Sequence, residues 1–130
     1  MLGVLQKAFD RNRNIVGDLS AEQWLSVPEN IMYHEGDSVG LFTYEYPGVY
    51  SGHWFFSDHR GREALNLAKK FLGKLFSETP AQAIRGLTDA NLRQARWAAR
   101  QIGMTSYGMI TINDKEYELF CMTKKEFLNE

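Results

Sequence analysis

Apolar positions along the chain switch between two periods. Leu2, Leu5, Ala8 and Phe9 recur at helical spacing and predict an amphipathic helix over residues 2–13, broken by Asn12, Asn14 and Gly17. Ser20, with Gln23 three positions on, has the form of a capping box, so a second helix starts there. Trp24 and Leu25 turn inward and Pro28 ends it. From residue 30 the period falls to two. Strands are expected over residues 30–34, 39–46 and 50–56, joined by the turns Glu35-Gly36-Asp37-Ser38 and Pro47-Gly48. In the second strand Leu41, Thr43 and Glu45 share one face, and Phe42, Tyr44 and Tyr46 the other. After Arg60 helical spacing returns at Ala64, Ala68, Phe71, Leu72 and Leu75, predicting a long helix to Phe76, closed by residues 77–80.

The apolar run 81–87 is short enough for a strand. Thr88-Asp89 then reads as the cap of a helix over residues 90–102, with Leu92, Ala95, Ala99 and Ile102 inward, its arginines in solvent and Gly103 just past its end. A hairpin over 106–112 and 116–123 turns at Asn113-Asp114, and residues 124–130 read as a polar tail. The order is helices, three strands, helix, strand, helix, two strands. A strand–helix–strand unit requires a right-handed crossover and a parallel strand pair. The expected class is therefore α/β (α+β): a mixed, mostly antiparallel sheet with a central parallel pair and helices on both faces. No repeat or linker divides it, so residues 1–130 read as one domain.

Composition narrows the function. The chain of 130 residues is 44% hydrophobic and 24% charged with a net charge of −1, which argues for a globular protein and gives no sign of a nucleic-acid partner. No apolar run approaches the roughly 20 residues of a membrane span, so no membrane partner is expected, and the first residues lack the apolar core of a signal peptide. The single cysteine, Cys121, matches a reducing compartment, and the expected localisation is cytoplasmic. His34, His53 and His59 have no metal-ligand spacing and no second cysteine is present, so no metal site is expected.

The chemistry concentrates in residues 52–76. An aromatic strand, Gly52-His53-Trp54-Phe55-Phe56, leads through Arg60-Gly61-Arg62 into the long helix. A helix N-terminus offers unpaired N–H groups and a positive dipole end, which favour phosphate, and two arginines add to this. The simpler alternative is a solvated turn that uses Gly61 for its geometry.

This order of elements resembles the GNAT (GCN5-related N-acetyltransferase) fold. Arg60-Gly61-Arg62-Glu63-Ala64-Leu65 is similar to the turn that binds the pyrophosphate of acetyl-CoA in that superfamily, and Asn91 to Gly103 is similar to its next helix. Gly52-His53 ahead of Arg60-Gly61-Arg62 most resembles small phage-encoded GNAT-like proteins, some of which are virion or head-assembly proteins. The resemblance implies acetyl-CoA as cofactor, with the strand residues Trp54, Phe55 and Phe56, the turn residues Arg60, Gly61 and Arg62, and Asn91 binding it. It implies His53 or Glu45 as the general base and Tyr107 as a displaced general acid.

Plainer roles stand beside these: a half-buried histidine, a solvated glutamate, a helix-cap asparagine, a strand tyrosine. Three positions and one element depart from the family pattern. Glu63 and Leu65 stand where the family has glycines, Ala99 where it often has tyrosine, and the usual first strand is missing. If Glu63 or Leu65 fills the groove, acyl-CoA has no place there. Two functions follow: an acyl-CoA-dependent N-acyltransferase acting on an amine acceptor, or a non-catalytic phage assembly protein. In the second case Tyr44, Tyr46, Tyr50 and Trp54 would contact phage structural proteins. A homo-oligomer is compatible with either.

Overall fold

A computed structural model describes residues 1–129. The first helix, α1 (Leu2–Arg11), breaks at Asn12 and restarts as the one-turn α2 (Arg13–Val16), which stops at Gly17 with φ of 63°. The short α3 (Ala21–Leu25) begins at the expected capping box, in which Ser20 Oγ accepts the Gln23 N–H and the Gln23 side chain accepts the Ser20 N–H. Three strands follow, β1 (Ile31–Glu35), β2 (Ser38–Tyr46) and β3 (Val49–Phe55). The long α4 (Gly61–Glu78) leads to β4 (Ala83–Asp89), α5 (Arg93–Ile102), β5 (Thr105–Ile112), β6 (Lys115–Thr123) and α6 (Lys124–Leu128).

The sheet order is β1-β2-β3-β4-β6-β5. Every neighbouring pair is antiparallel except β3 and β4, which run parallel as the crossover through α4 requires. The expected mixed sheet with one parallel pair is what forms.

The two faces are covered unequally. On one, Leu5, Ala8 and Phe9 of α1 and Ala21 and Trp24 of α3 pack on Met32, Val39 and Leu41. Trp24 satisfies its buried indole N–H on Thr43 Oγ1 at 3.0 Å. This cluster reaches no further than β3, so among the described residues the same face of β4, β6 and β5 carries no helix, and Leu87 is 40% exposed. On the other face Leu67, Ala68, Phe71, Leu72, Leu75 and Phe76 of α4 pack on Phe42, Tyr50, Ile84 and Met122. Gly40 permits this contact, because a Cβ there would stand 2.7 Å from the Phe71 ring.

Three details differ from the sequence expectation. α5 starts at Arg93 rather than Ala90, because β4 stays paired with β6 as far as Asp89, opposite Tyr117. Leu92 and Ala95 are consequently exposed, and only Ala99 and Ile102 of α5 are buried. The expected polar tail is helical as far as Leu128, started by a second capping box between Thr123 and Glu126, and Phe127 packs on Phe76 at 5.4 Å between ring centroids. Glu130 lies outside the described residues.

Candidate active site: a splayed strand pair beside a helix N-terminus

β3 and β4 pair over three positions only, Val49 with Ala83, Tyr50 with Ile84 and Ser51 with Arg85. Beyond them both strands continue, β3 to Phe55 and β4 to Asp89, each still paired on its outer side but not with the other. The sheet therefore opens along its middle. Gly86 lies at the fork, where its absent Cβ would sit 3.4 Å from the Gly52 carbonyl oxygen. That oxygen faces β4. Since backbone groups alternate sides along a strand, Trp54 also turns its N–H and C=O into the opening.

Parallel strands deliver their carboxyl-terminal loops to the same end, and such crevices are where open α/β sheets take ligands. The β3 loop brings Arg60, Gly61 and Arg62 to that end, and the β4 loop brings Asn91. Arg60 is the N-cap of α4 and supplies no side-chain cap. Its carbonyl accepts the N–H groups of Glu63 at 3.2 Å and Ala64 at 3.4 Å, which leaves those of Gly61 and Arg62 free of backbone partners. Gly61 has φ of 54°, a left-handed conformation that favours glycine, and open space where a Cβ would be.

Of the two departures from the family turn, Glu63 is exposed in the first turn of α4, and Leu65 is partly buried and packs against the α4 core.

The remaining predicted residues fall on different surfaces. The Trp54 and Phe56 rings pack on the α4 side, with Trp54 edge-on to Phe42 at 5.5 Å, and Phe55 packs against Phe9 on the other side. These three can therefore serve a ligand chiefly through backbone. His53 alternates with Trp54 and so occupies the incompletely covered face, opposite Leu41 on β2. Solvent reaches its ring from the open side, but the surrounding chain strips enough water to push its pKa below the ordinary value. The charge of Glu45 opposes that shift in part.

Glu45 lies near the end of β2 in an ion pair with Arg85. Its carboxylate accepts a hydrogen bond from Arg85 Nε, and the Arg85 guanidinium lies 5.9 Å from the centre of the Tyr46 ring. Tyr107 is 63% exposed at an irregular point of edge strand β5. Two strands separate it from β3, so it stands on the order of 14 Å away across the sheet. Asn91 is exposed; its backbone N–H donates to Asp89 Oδ1 at 2.9 Å in a local turn, while Asp89 is also held by Lys115 at 2.9 Å.

Four elements of the site escaped the sequence reading. A hollow of about 310 Å³ adjoins the end of β3, walled by Arg11, Asn12 and Ile15 on one side and Trp54 to Ser57 on the other. Ser38 is fully buried and accepts the N–H groups of Ser57 at 3.0 Å and Asp58 at 3.1 Å. Glu118, 2% exposed, accepts from Arg96 Nε at 2.7 Å, from Ser106 Oγ at 2.5 Å and from Arg100. Arg96 in turn donates to the Ala90 carbonyl at 3.1 Å, which ties down the loop leaving β4. The arginines of α5 are thus not all turned to solvent. Glu118 was readable, since it shares the apolar alternation with Phe120 and Met122, and Arg96 and Arg100 are spaced to meet it.

No family model matches the chain. No curated protein matches it either. Solved structures do. The chain superposes on a spermidine N-acetyltransferase mutant from Vibrio cholerae with a TM-score of 0.79 at 13% identity, over 98% of this chain and 91% of that one. An aminoglycoside acetyltransferase in complex with coenzyme A gives a TM-score of 0.66 at 12% identity, over 98% and 92% of the two chains. A GNAT-family acetyltransferase from Bacillus anthracis gives 0.57 at 16% identity, over 68% of this chain and 58% of that one. The fold is that of the GNAT acetyltransferases, and the chain keeps it with six strands. The comparisons lend no support to phage origin or a virion-assembly role.

Proposed function

We propose that this protein is an acyl-CoA-dependent N-acyltransferase that moves an acetyl group from acetyl-CoA to an amine. The observation that carries the reading is the opening of the sheet between β3 and β4, immediately before an α4 N-terminus with free N–H groups and two arginines. In this reading the pantetheine arm lies along the gap and pairs with the Trp54 backbone, completing the sheet as a missing strand would. The diphosphate meets the N–H groups of Gly61 and Arg62 and the side chains of Arg60 and Arg62. Asn91 borders the same end from the β4 side.

His53 is the general base. Its lowered pKa keeps the imidazole neutral at pH 7, able to take a proton from an ammonium acceptor directly or through a water molecule. The freed amine attacks the thioester carbonyl and the C–S bond breaks; the attacking nitrogen gives up its extra proton, the CoA thiolate leaves and takes one up, and His53 returns its proton to solvent. Glu45, bound to Arg85, is a neighbouring charge that favours the imidazolium formed in the first step. Tyr107 is assigned no part, because it stands on the far strand. A coenzyme A complex among the structural relatives supports the cofactor assignment.

Calorimetric titration with coenzyme A and acetyl-CoA tests the reading. Micromolar affinity that falls about tenfold in Arg60→Ala is expected, whereas no heat at millimolar ligand would sink it. With an accepted amine in hand, His53→Ala is expected to lower kcat about a hundredfold. The acid limb of the wild-type rate profile should lie below the usual histidine value of about 6.5.

A further inference from the structure

We infer that Ser38 and His59 are positioning residues that hold the α4 entry turn in its ligand-ready shape. This rests on the acyltransferase reading of that turn. A serine hydroxyl has two acceptor sites and one hydrogen. Both acceptor sites of the buried Ser38 are taken by the N–H groups of Ser57 and Asp58. Its hydrogen is left for His59 Nδ1, 2.9 Å away. The imidazole therefore carries its own proton on Nε2, which donates to Glu35 Oε2 at 3.1 Å. The other oxygen of Glu35 accepts Lys70 Nζ of α4 at 2.9 Å.

The direction of every bond in this line is thus fixed by Ser38. A serine, a histidine and a glutamate in sequence look like a hydrolytic triad, but a hydroxyl with no solvent exposure and both acceptor sites filled is no nucleophile. What the line does is hold chain. Of the four residues between β3 and Arg60, Ser57, Asp58 and His59 are each anchored on Ser38 at the start of β2. Asp58 adds a further anchor by accepting the Asp37 N–H at 2.7 Å beside Gly36, where a Cβ would collide with the same carboxylate. The turn that presents Gly61 and Arg62 is therefore set before any ligand arrives, which raises affinity by removing the cost of ordering it.

The experiment compares two ligands on wild-type protein, Ser38→Ala, His59→Ala and His59→Asn. Coenzyme A, titrated calorimetrically, reports the diphosphate end. Pantetheine, titrated by NMR, reports the strand gap alone. Ser38→Ala and His59→Ala are expected to weaken coenzyme A about tenfold and leave pantetheine within about twofold. In His59→Asn the side-chain oxygen can accept the Ser38 hydroxyl, so coenzyme A affinity is expected to return to within about threefold of wild type. Amide exchange at Ser57 and Asp58 should quicken at least about tenfold in Ser38→Ala.

Coenzyme A binding unchanged in the alanine variants, or pantetheine lost by the same factor as coenzyme A, would overturn the inference. If Ser38→Ala does not fold, the two His59 variants carry the comparison. Wild-type protein that gives no heat with coenzyme A overturns the acyltransferase reading instead. In that event amide exchange in Ser38→Ala still decides whether Ser38 holds the turn.

Discussion

The two walls of the cleft are fastened by different chemistry. On the β3 wall the buried polar group is Ser38, an uncharged hydroxyl that ties down the loop into α4. On the β4 wall it is Glu118, a carboxylate that joins β6 to Arg96 and Arg100 of α5 and, through Arg96, to the loop after β4. A hydroxyl whose hydrogen bonds are met costs far less to bury than a charge, so Ser38 itself can be shut away completely. A carboxylate is costly to bury unless its charge is met, and here two arginines and Ser106 meet it. The wall beside the α4 entry turn thus holds a buried hydroxyl where the other wall holds a buried carboxylate. Arg60 and Arg62 form no ion pair among the described residues and stay available for a ligand.

Glu118→Ala should be the most damaging change, about 2–3 kcal/mol by urea denaturation. That lies below the loss typical of a fully buried pair, because the arginines left behind remain partly hydrated. Ser38→Ala should cost about 1–2 kcal/mol by the same measurement, since the Ser57 and Asp58 N–H groups lose their partner near a surface loop that water can enter. If Ser38→Ala proves the larger loss, the ranking of the two walls is reversed.

Acid sharpens the contrast. Burial alone would raise the pKa of Glu118, but hydrogen bonds from Ser106, Arg96 and Arg100 outweigh it and hold the value below the usual glutamate range. A carboxylate whose folded pKa is depressed contributes stability that is present above the unfolded value of about 4.3. That contribution is lost as pH falls through the folded value. Stability measured from pH 6 to pH 2 should show this loss in wild type and in Ser38→Ala, and a flatter acid limb in Glu118→Gln. Smallest of all should be the coupling: the double variant is expected to equal the sum of the single losses within about 0.5 kcal/mol. A larger discrepancy would mean the walls are not independent.

Much of this architecture was legible. The change of period at residue 30, the stripe on α4 and the Ser20 capping box each act through local spacing, and the structure keeps all three. The Asn113-Asp114 turn is equally local, with φ of 50° and 65° at residues that tolerate them. The start of α5 was misread because pairing with β6 extends β4, a distant contact that outweighs the Thr88-Asp89 signal. α6 is signalled by Thr123 and Glu126, a capping box inside a stretch whose polarity alone suggests a tail.

At the site, the place of Arg60-Gly61-Arg62 at the start of α4 could be seen in advance because its residues are contiguous. Glu45 could not be judged, since Arg85 arrives from another strand. Nor does any feature of the sequence distinguish Ser38 from the solvated serines of other turns. Its burial comes from the β3 loop folding back over it.

The three-residue seam between β3 and β4 also bears on how the molecule assembles. β1, β2 and β3 form a meander of adjacent hairpins, and β5 and β6 form another, so both can close early from local contacts. The seam must wait for all of α4 to cross the sheet, and it brings only three residue pairs as reward. Until it closes, β3 and β4 present bare strand edges to other copies of the chain. A seam this short should make refolding sensitive to protein concentration, and a ligand that spans both strands would act as a clasp during folding.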